Sequence, residues 1–146
     1  PGVVKKYLTK ISGPLLDRID LHVEVTPVSY DELSNHEYSS ETSEQIVERV
    51  VRARNIQNER FKDQPGIFSN AQMPSRMVRD VCELTPAGAN LLKTAMTRLQ
   101  LSARAYDRIL KVARTGADLA GSADIKIEHL AEAIQYRSLD REGWAG

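Results

Sequence analysis

The sequence has few of the features of a disulfide-bonded protein or of a membrane protein. Its 146 residues include one cysteine, Cys82, which excludes an internal disulfide and fits a reducing compartment. No run of about 18 apolar residues and no signal-peptide pattern occurs, so we expect a soluble cytoplasmic protein without a membrane partner. Lysine plus arginine and aspartate plus glutamate both number 20. This zero net charge gives no overall reason to expect affinity for nucleic acid.

Nucleotide-binding motifs are also missing. The chain has no G-x-x-x-x-G-K-[ST] phosphate loop and no apolar strand ending in paired acids. It begins at Pro1-Gly2 without a methionine, and its length suits one domain, or a small domain with an attached fragment. We therefore expect a piece of a longer protein that could not hydrolyse a nucleoside triphosphate alone.

The most informative stretch is residues 11–25, ISGPLLDRIDLHVEV. Apolar and polar residues alternate over residues 19–25, which predicts a strand with one buried and one polar face. Pro14 suits the first turn of a short helical step before that strand. Arg18, at the mouth of the strand, is expected to point out of a domain edge. That position suits reaching a phosphate on a neighbouring subunit.

After a polar, turn-rich stretch, the pattern becomes helical. A helix is predicted from Thr42 or Ser43 to about Phe61. Its apolar stripe consists of Ile46, Val47, Val50, Val51 and Ala53. Four more helices are predicted over residues 75–83, 86–99, 103–121 and 127–136, with caps at Ser75, Thr85 and Ser102. Four helices with short connections are typical of a small compact bundle.

A second stretch, residues 101–115, places cations along one face of a helix. Arg104, Arg108 and Lys111 share a stripe opposite an apolar face. Arg104 falls in the first turn, where the helix dipole disfavours a positive charge. Because phosphates bind helix N-termini, a cation there suggests an anion nearby.

Both stretches resemble the magnesium-chelatase-like AAA+ ATPases of the ComM (YifB) type. Residues 10–25 match K-[IL]-S-G-P-L-L-D-R-[IF]-D-[IL]-H-V-E-V, and residues 102–109 match S-x-R-x-x-x-R-[IL]. The resemblance implies a mainly α fold: an AAA+ C-terminal helical lid preceded by the last strand of the α/β core and an inserted helix. Residues 1–26 would end the core, residues 27–72 form a loop and the inserted helix, residues 73–138 the lid, and residues 139–146 a tail.

The resemblance also implies roles for three arginines. Arg18 would be an arginine finger acting in trans, and Arg104 the sensor 2 residue that contacts the ATP γ-phosphate. Arg108 would be a further candidate for a phosphate or inter-subunit contact. The intact protein would use ATP and Mg²⁺ with its own N-terminal core in a homo-oligomer, expected to be a hexamer. It would act on DNA as a helicase or branch-migration motor in competence or recombination; neither ATP nor Mg²⁺ is expected on this chain alone.

Two other functions remain open. The parent could be the motor subunit of a magnesium-chelatase-type metal insertion complex. Alternatively, the chain could be a non-enzymatic helical module that binds DNA or a partner through the Arg104 stripe and the basic run Arg49, Arg52, Arg54, Arg60 and Lys62. That run is otherwise expected to be a solvated face.

Ordinary structural roles compete with several of these assignments. Arg18 could be a surface arginine paired with Asp17 or Asp20, and Asp107 could pair with Lys111 on a solvated face. The row Asp20, His22, Glu24 contains three possible metal ligands, but polar alternation explains it and no metal site is expected.

Three isolated residues are expected to have structural roles or none. Cys82 is expected to be a small buried hydrophobe. Gly116 stands where the family pattern has an apolar residue, at a cost of about 1 kcal/mol relative to alanine, so the local stability of the lid is in question. Trp144 lies in the tail.

Overall fold

A computed structural model describes residues 12–23, 25–30, 34 and 41–137. Its helices are α1 Gly13–Leu16, α2 Ser43–Phe61, α3 Ser75–Val81, α4 Pro86–Arg98, α5 Ala103–Leu119 and α6 Ile127–Gln135, with a 3-10 turn at Asn70–Gln72 between α2 and α3. The predicted mainly α fold is confirmed. Within these residues, β pairing is limited to an isolated parallel bridge between Leu84 and Ile125.

The strand predicted over residues 19–25 is not formed in the described part of the chain. Residues 19–23 and 25 have no regular structure, and Glu24 lies outside the described residues. Alternation specifies which side chains share a face, but a strand also needs a neighbouring strand to pair its backbone groups. Here the backbone of His22 instead donates to the carbonyl of Tyr136 at the end of α6, at 2.8 Å. Leu21 and Val23 consequently remain exposed.

Local capping explains where the long helices begin. Thr42 and Gln45 form a reciprocal capping box at α2. The Thr85 hydroxyl accepts from the backbone N–H of Gly88 before α4, and the Ser102 hydroxyl accepts from that of Ala105 before α5. These predicted helix starts are confirmed.

The cap predicted at Ser75 is wrong. Pro74 is the N-cap of α3, and Ser75 is its first helical residue. The Ser75 hydroxyl instead donates to the carboxylate of Asp107 on α5. This bond links two helices, which a local sequence pattern does not reveal.

The core is built around α5, which packs against α2, α3, α6 and the 3-10 turn. Its members are mostly aliphatic and come from every helix from α2 to α6; they include Val78, Leu92, Ile109, Leu110 and Leu130. Cys82 belongs to this core, as predicted. Burial raises the pKa of its thiol to about 11, so the thiol stays protonated at neutral pH.

The stripe predicted to be the buried face of α2 is only partly buried. Ala53 is covered, but the side chains nearer the start of the helix remain exposed; they are Ile46, Val47, Val50 and Val51. The buried residues of α2 are Ala53, Gln57 and Phe61. The C-terminal half of α2 therefore supplies the packing against the rest of the helical core. Helical periodicity shows which residues share a face but not how far along that face a neighbour extends.

Candidate functional site

Arg18 lies on the turn that follows α1. Its guanidinium Nη1 donates to the backbone carbonyl of Pro14 at 3.3 Å, and the side chain is exposed. Asp17 accepts a hydrogen bond from Ser102 at 3.1 Å, and Asp20 pairs with Arg108. The ordinary pairing of Arg18 with either acid is therefore wrong, and no carboxylate of the described residues neutralises it.

The cationic stripe of α5 separates into one unpaired and two paired residues. Arg104 is exposed, and among the described residues no hydrogen bond or ion pair engages its side chain. Arg108 pairs with Asp20, whereas Lys111 donates to the backbone carbonyl of Ala71 at 3.0 Å. The expected pair between Asp107 and Lys111 is not formed, because Asp107 accepts from Ser75 instead.

A cleft of about 820 Å³ runs along this face of α5. Its walls come from α2, α5, α6 and the segment after α1, and they include Asp20, Arg49, Arg104, Arg108, Gly116 and His129. The volume lies within the range of small-molecule sites, roughly 300–1,000 Å³. Arg104 thus combines a helix N-terminus with a concave surface, which suits a phosphate group.

Gly116 forms part of the wall of this cleft. A Cβ atom built on it would meet only the Cβ of His129, at 4.0 Å, among non-local atoms within that range. The missing side chain therefore opens space in the cleft and leaves no close-packed partner unsatisfied. Gly116 lowers the stability of the chain through its low helix propensity.

A buried polar cluster at the other end of α5 was not predicted. Nη1 and Nη2 of Arg60 donate to Asp118, at 2.7 and 2.6 Å. Asn70 Nδ2 donates to the same carboxylate at 2.8 Å. Arg114 Nε also donates to Asp118, at 3.2 Å, while its other nitrogens donate to the carbonyls of Ser122 and Ala123. The cluster joins α2, α5, the 3-10 turn and the loop after α5.

Hydrogen bonding determines the charge state of this cluster. Burial acts to raise the pKa of Asp118, but the hydrogen bonds from Arg60 and Asn70 outweigh it and hold the pKa below its ordinary value. The sequence carried one usable signal, because Arg114 and Asp118 are four residues apart on a helix. Arg60, expected on a solvated face, is a structural residue.

The rest of the basic run is divided between ion pairs and solvent. Arg49 makes a bidentate pair with Glu41, and Lys62 pairs with Glu59. Arg52 and Arg54 are exposed. The run therefore has no single role: one member is structural, two have acidic partners, and two face solvent.

The described residues contain neither a cluster of metal-ligating side chains nor a membrane-spanning helix. In that part of the chain, no group of three or more histidine, cysteine, aspartate or glutamate side chains could hold a metal ion. Asp20 is directed to Arg108. Within the same residues, no helix is both long and apolar enough to cross a membrane. Trp144 lies outside the described part.

Comparison with known families covers nearly the whole chain. Residues 40–137 match the family described as magnesium chelatase, subunit ChlI C-terminal. Residues 1–33 match the family described as magnesium chelatase, subunit ChlI. The two matches divide the chain between the segment carrying Arg18 and the helical part carrying Arg104.

Individual relatives also match nearly the whole chain. Competence protein ComM of Haemophilus influenzae is 43% identical over 141 residues, which cover 97% of this chain and 27% of that protein. The uncharacterized protein YifB of Escherichia coli is 40% identical over the same shares, and that of Salmonella typhimurium 38%. The chain thus spans about a quarter of the length of these curated relatives. It belongs to the magnesium chelatase family, and the mainly helical fold of residues 41–137 is consistent with the helical C-terminal lid of that family.

Proposed function

We propose that the chain is the lid part of an AAA+ ATPase and supplies two arginines for ATP hydrolysis. Arg18 acts as the arginine finger toward the neighbouring subunit's ATP, and Arg104 acts as sensor 2. The observation that carries this proposal is that both guanidinium groups are exposed and lack a carboxylate partner among the described residues, although acids adjoin Arg18 in sequence.

The chemistry of guanidinium supports these roles. It is permanently charged and planar, so it can meet two phosphate oxygens at once. In the transition state of phosphoryl transfer, charge spreads over the phosphoryl oxygens, and an arginine finger there contributes roughly 10³ to 10⁵ in rate. Arg104, at the start of α5, adds its charge to the unpaired N–H groups of a helix N-terminus.

The rest of the active site belongs to the N-terminal core of the same protein. The described residues offer cations for phosphate but no cluster of three or more side chains that could hold a metal ion. We therefore assign Mg²⁺ and most of the ATP contacts to that core, and propose a homohexamer in which each Arg18 serves the next subunit. DNA is the proposed substrate, in a helicase or branch-migration role.

The test uses the full-length protein. Arg18→Ala should lower kcat by about 10³-fold or more while the Kd for ATP stays unchanged. Arg79→Ala, which removes an exposed arginine from α3, is the matched control and should retain full turnover. Unchanged turnover in Arg18→Ala would refute the finger assignment. Mixing Arg18→Ala with a variant that binds ATP but does not hydrolyse it should restore hydrolysis, because the second variant donates an intact finger.

A metal insertion motor is the second candidate, favoured by the description of the family that matches residues 40–137. It predicts the same arginine roles but no response to DNA. Stimulation of the full-length ATPase by duplex or branched DNA would favour the DNA motor. Absence of any stimulation would favour metal insertion.

A further inference from the structure

Helix α5 holds the turn that carries Arg18 through two side-chain contacts. Ser102, the N-cap of α5, donates from its hydroxyl to Asp17 Oδ1 at 3.1 Å while accepting from the backbone N–H of Ala105. One turn into the helix, Arg108 pairs with Asp20. These contacts join residues 85 and 88 positions apart in the chain, so they are tertiary.

The two contacts flank both of the arginines to which we assign phosphate contacts. Asp17 and Asp20 lie on either side of Arg18, and Ser102 and Arg108 lie on either side of Arg104. A helix N-terminus moves as a unit because its backbone is hydrogen-bonded internally. A shift of the first turns of α5 therefore displaces both ends of the Arg18 turn together.

Helix α6 adds a third attachment. Arg137, just after α6, is 0% exposed and donates to the backbone carbonyl of Ile19, with Nη2 3.7 Å from Asp17 Oδ1. The carbonyl of Tyr136 accepts from the backbone N–H of His22 at 2.8 Å. The segment after α1 is thus attached to the lid helices on both sides of Ile19.

We propose that Asp17, Asp20, Ser102 and Arg108 are positioning residues that couple the two phosphate-contacting arginines within one subunit. When the γ-phosphate at Arg104 is lost, the N-terminus of α5 shifts, and the turn shifts Arg18 relative to the neighbouring subunit's ATP. Arg108 acts through Asp20 and does not contact phosphate. This coupling rests on the proposed function of Arg18 and Arg104.

Exposure separates this positioning role from a purely structural one. The Arg108 and Asp20 side chains are 28% and 49% exposed. Ion pairs this accessible to solvent contribute little to folding stability. A displacement of about 1 Å at a catalytic group, however, can lower a rate by about 10²-fold. Breaking the pair should therefore affect kcat far more than stability.

A charge swap in the full-length ATPase tests this pair. Arg108→Asp and Asp20→Arg should each lower kcat by about 10²-fold with little change in the KM for ATP. The double variant should recover to within a few-fold of the original kcat. Arg79→Asp, on the exposed face of α3, is the control and should retain kcat. Unchanged kcat in either single variant, or no recovery in the double variant, would overturn the proposal.

Subunit mixing distinguishes two roles of Arg108. Either it positions Arg18, which acts on the neighbouring subunit, or it contacts phosphate directly in its own subunit. Arg108→Asp subunits keep an intact ATP site, so mixing them with subunits that bind ATP but do not hydrolyse it should restore hydrolysis through the well-placed Arg18 of those partners. If Arg108 contacted phosphate in its own subunit, mixing would not help, and the proposal would fail.

The two proposals can also fail separately. If Arg18→Ala retains turnover, the finger assignment itself is wrong. If Arg18→Ala loses turnover while Arg108→Asp does not, only the coupling is wrong.

Discussion

The two ends of helix α5 use arginine in opposite ways. At the N-terminal end, Arg104 is exposed and has no partner among the described side chains. At the C-terminal end, Arg114 is 4% exposed and donates to Asp118 and two carbonyls. Composition and helical spacing do not separate these residues. Their surroundings do, because a buried guanidinium requires hydrogen-bond acceptors whereas an exposed one is hydrated and can exchange water for phosphate.

The largest effect is expected at the buried end. Asp118→Ala should lower the free energy of unfolding by about 3–5 kcal/mol, because it leaves Arg60 and Arg114 without their shared carboxylate. Urea denaturation of the 146-residue chain measures this loss. Asp80→Ala, on the exposed surface of α3, is the control and should stay within about 0.5 kcal/mol.

The same carboxylate predicts a pH dependence. Because the folded-state pKa of Asp118 lies below its unfolded value, its contribution to stability is present above about pH 4 and is lost as pH falls through the folded pKa. Asp118→Asn should therefore lose less stability than the original chain between pH 5 and strongly acidic solution. Parallel losses in the two proteins would contradict this account.

A smaller effect on stability is expected at Gly116, which lies between Arg114 and Asp118 but faces the cleft. Gly116→Ala should raise the free energy of unfolding by about 1 kcal/mol, because alanine favours the helix and the nearest non-local atom is 4.0 Å from the new Cβ. A higher midpoint temperature in calorimetry would support this prediction. A lower one would show that the wall of the cleft is packed more tightly than the structure indicates.

The smallest effect on stability is expected at the exposed end. Arg104→Ala should change the free energy of unfolding by less than about 0.5 kcal/mol, since its exposed side chain has no hydrogen bond or ion pair to lose within the described chain. Arg114→Ala is the matched comparison and should cost several times more. Equal losses in urea denaturation would remove the distinction between the two ends of α5.

Much of the helical part could be predicted because its signals are local. The caps at Thr42, Thr85 and Ser102 bond to backbone groups three residues ahead, so the bonded residues are close together in the sequence. The predicted strand failed for the opposite reason, since alternation cannot supply the neighbour with which a strand pairs. The prediction that the apolar stripe of α2 is buried was only partly correct, because periodicity does not show where a packing partner ends.

In the candidate site, too, the sequence showed some features and the structure alone showed others. Both arginine motifs were recognisable in the sequence, but the roles that we propose for Arg18, Arg104 and Arg108 depend on which acids neutralise them. Asp17 and Asp20 lie within two residues of Arg18 in the sequence, yet they bond to Ser102 and Arg108. Asp118 similarly collects donors from α2 and the 3-10 turn.

The sequence by itself determined the helical class, the starts of α2, α4 and α5, and the positions of the two arginine motifs. These depend on side chains and backbone groups within a few residues of each other. Only the tertiary structure decided which arginine is buried, which is paired and which is exposed. That outcome depends on acceptors brought together from distant parts of the chain, and packing sets both their distance and their access to water.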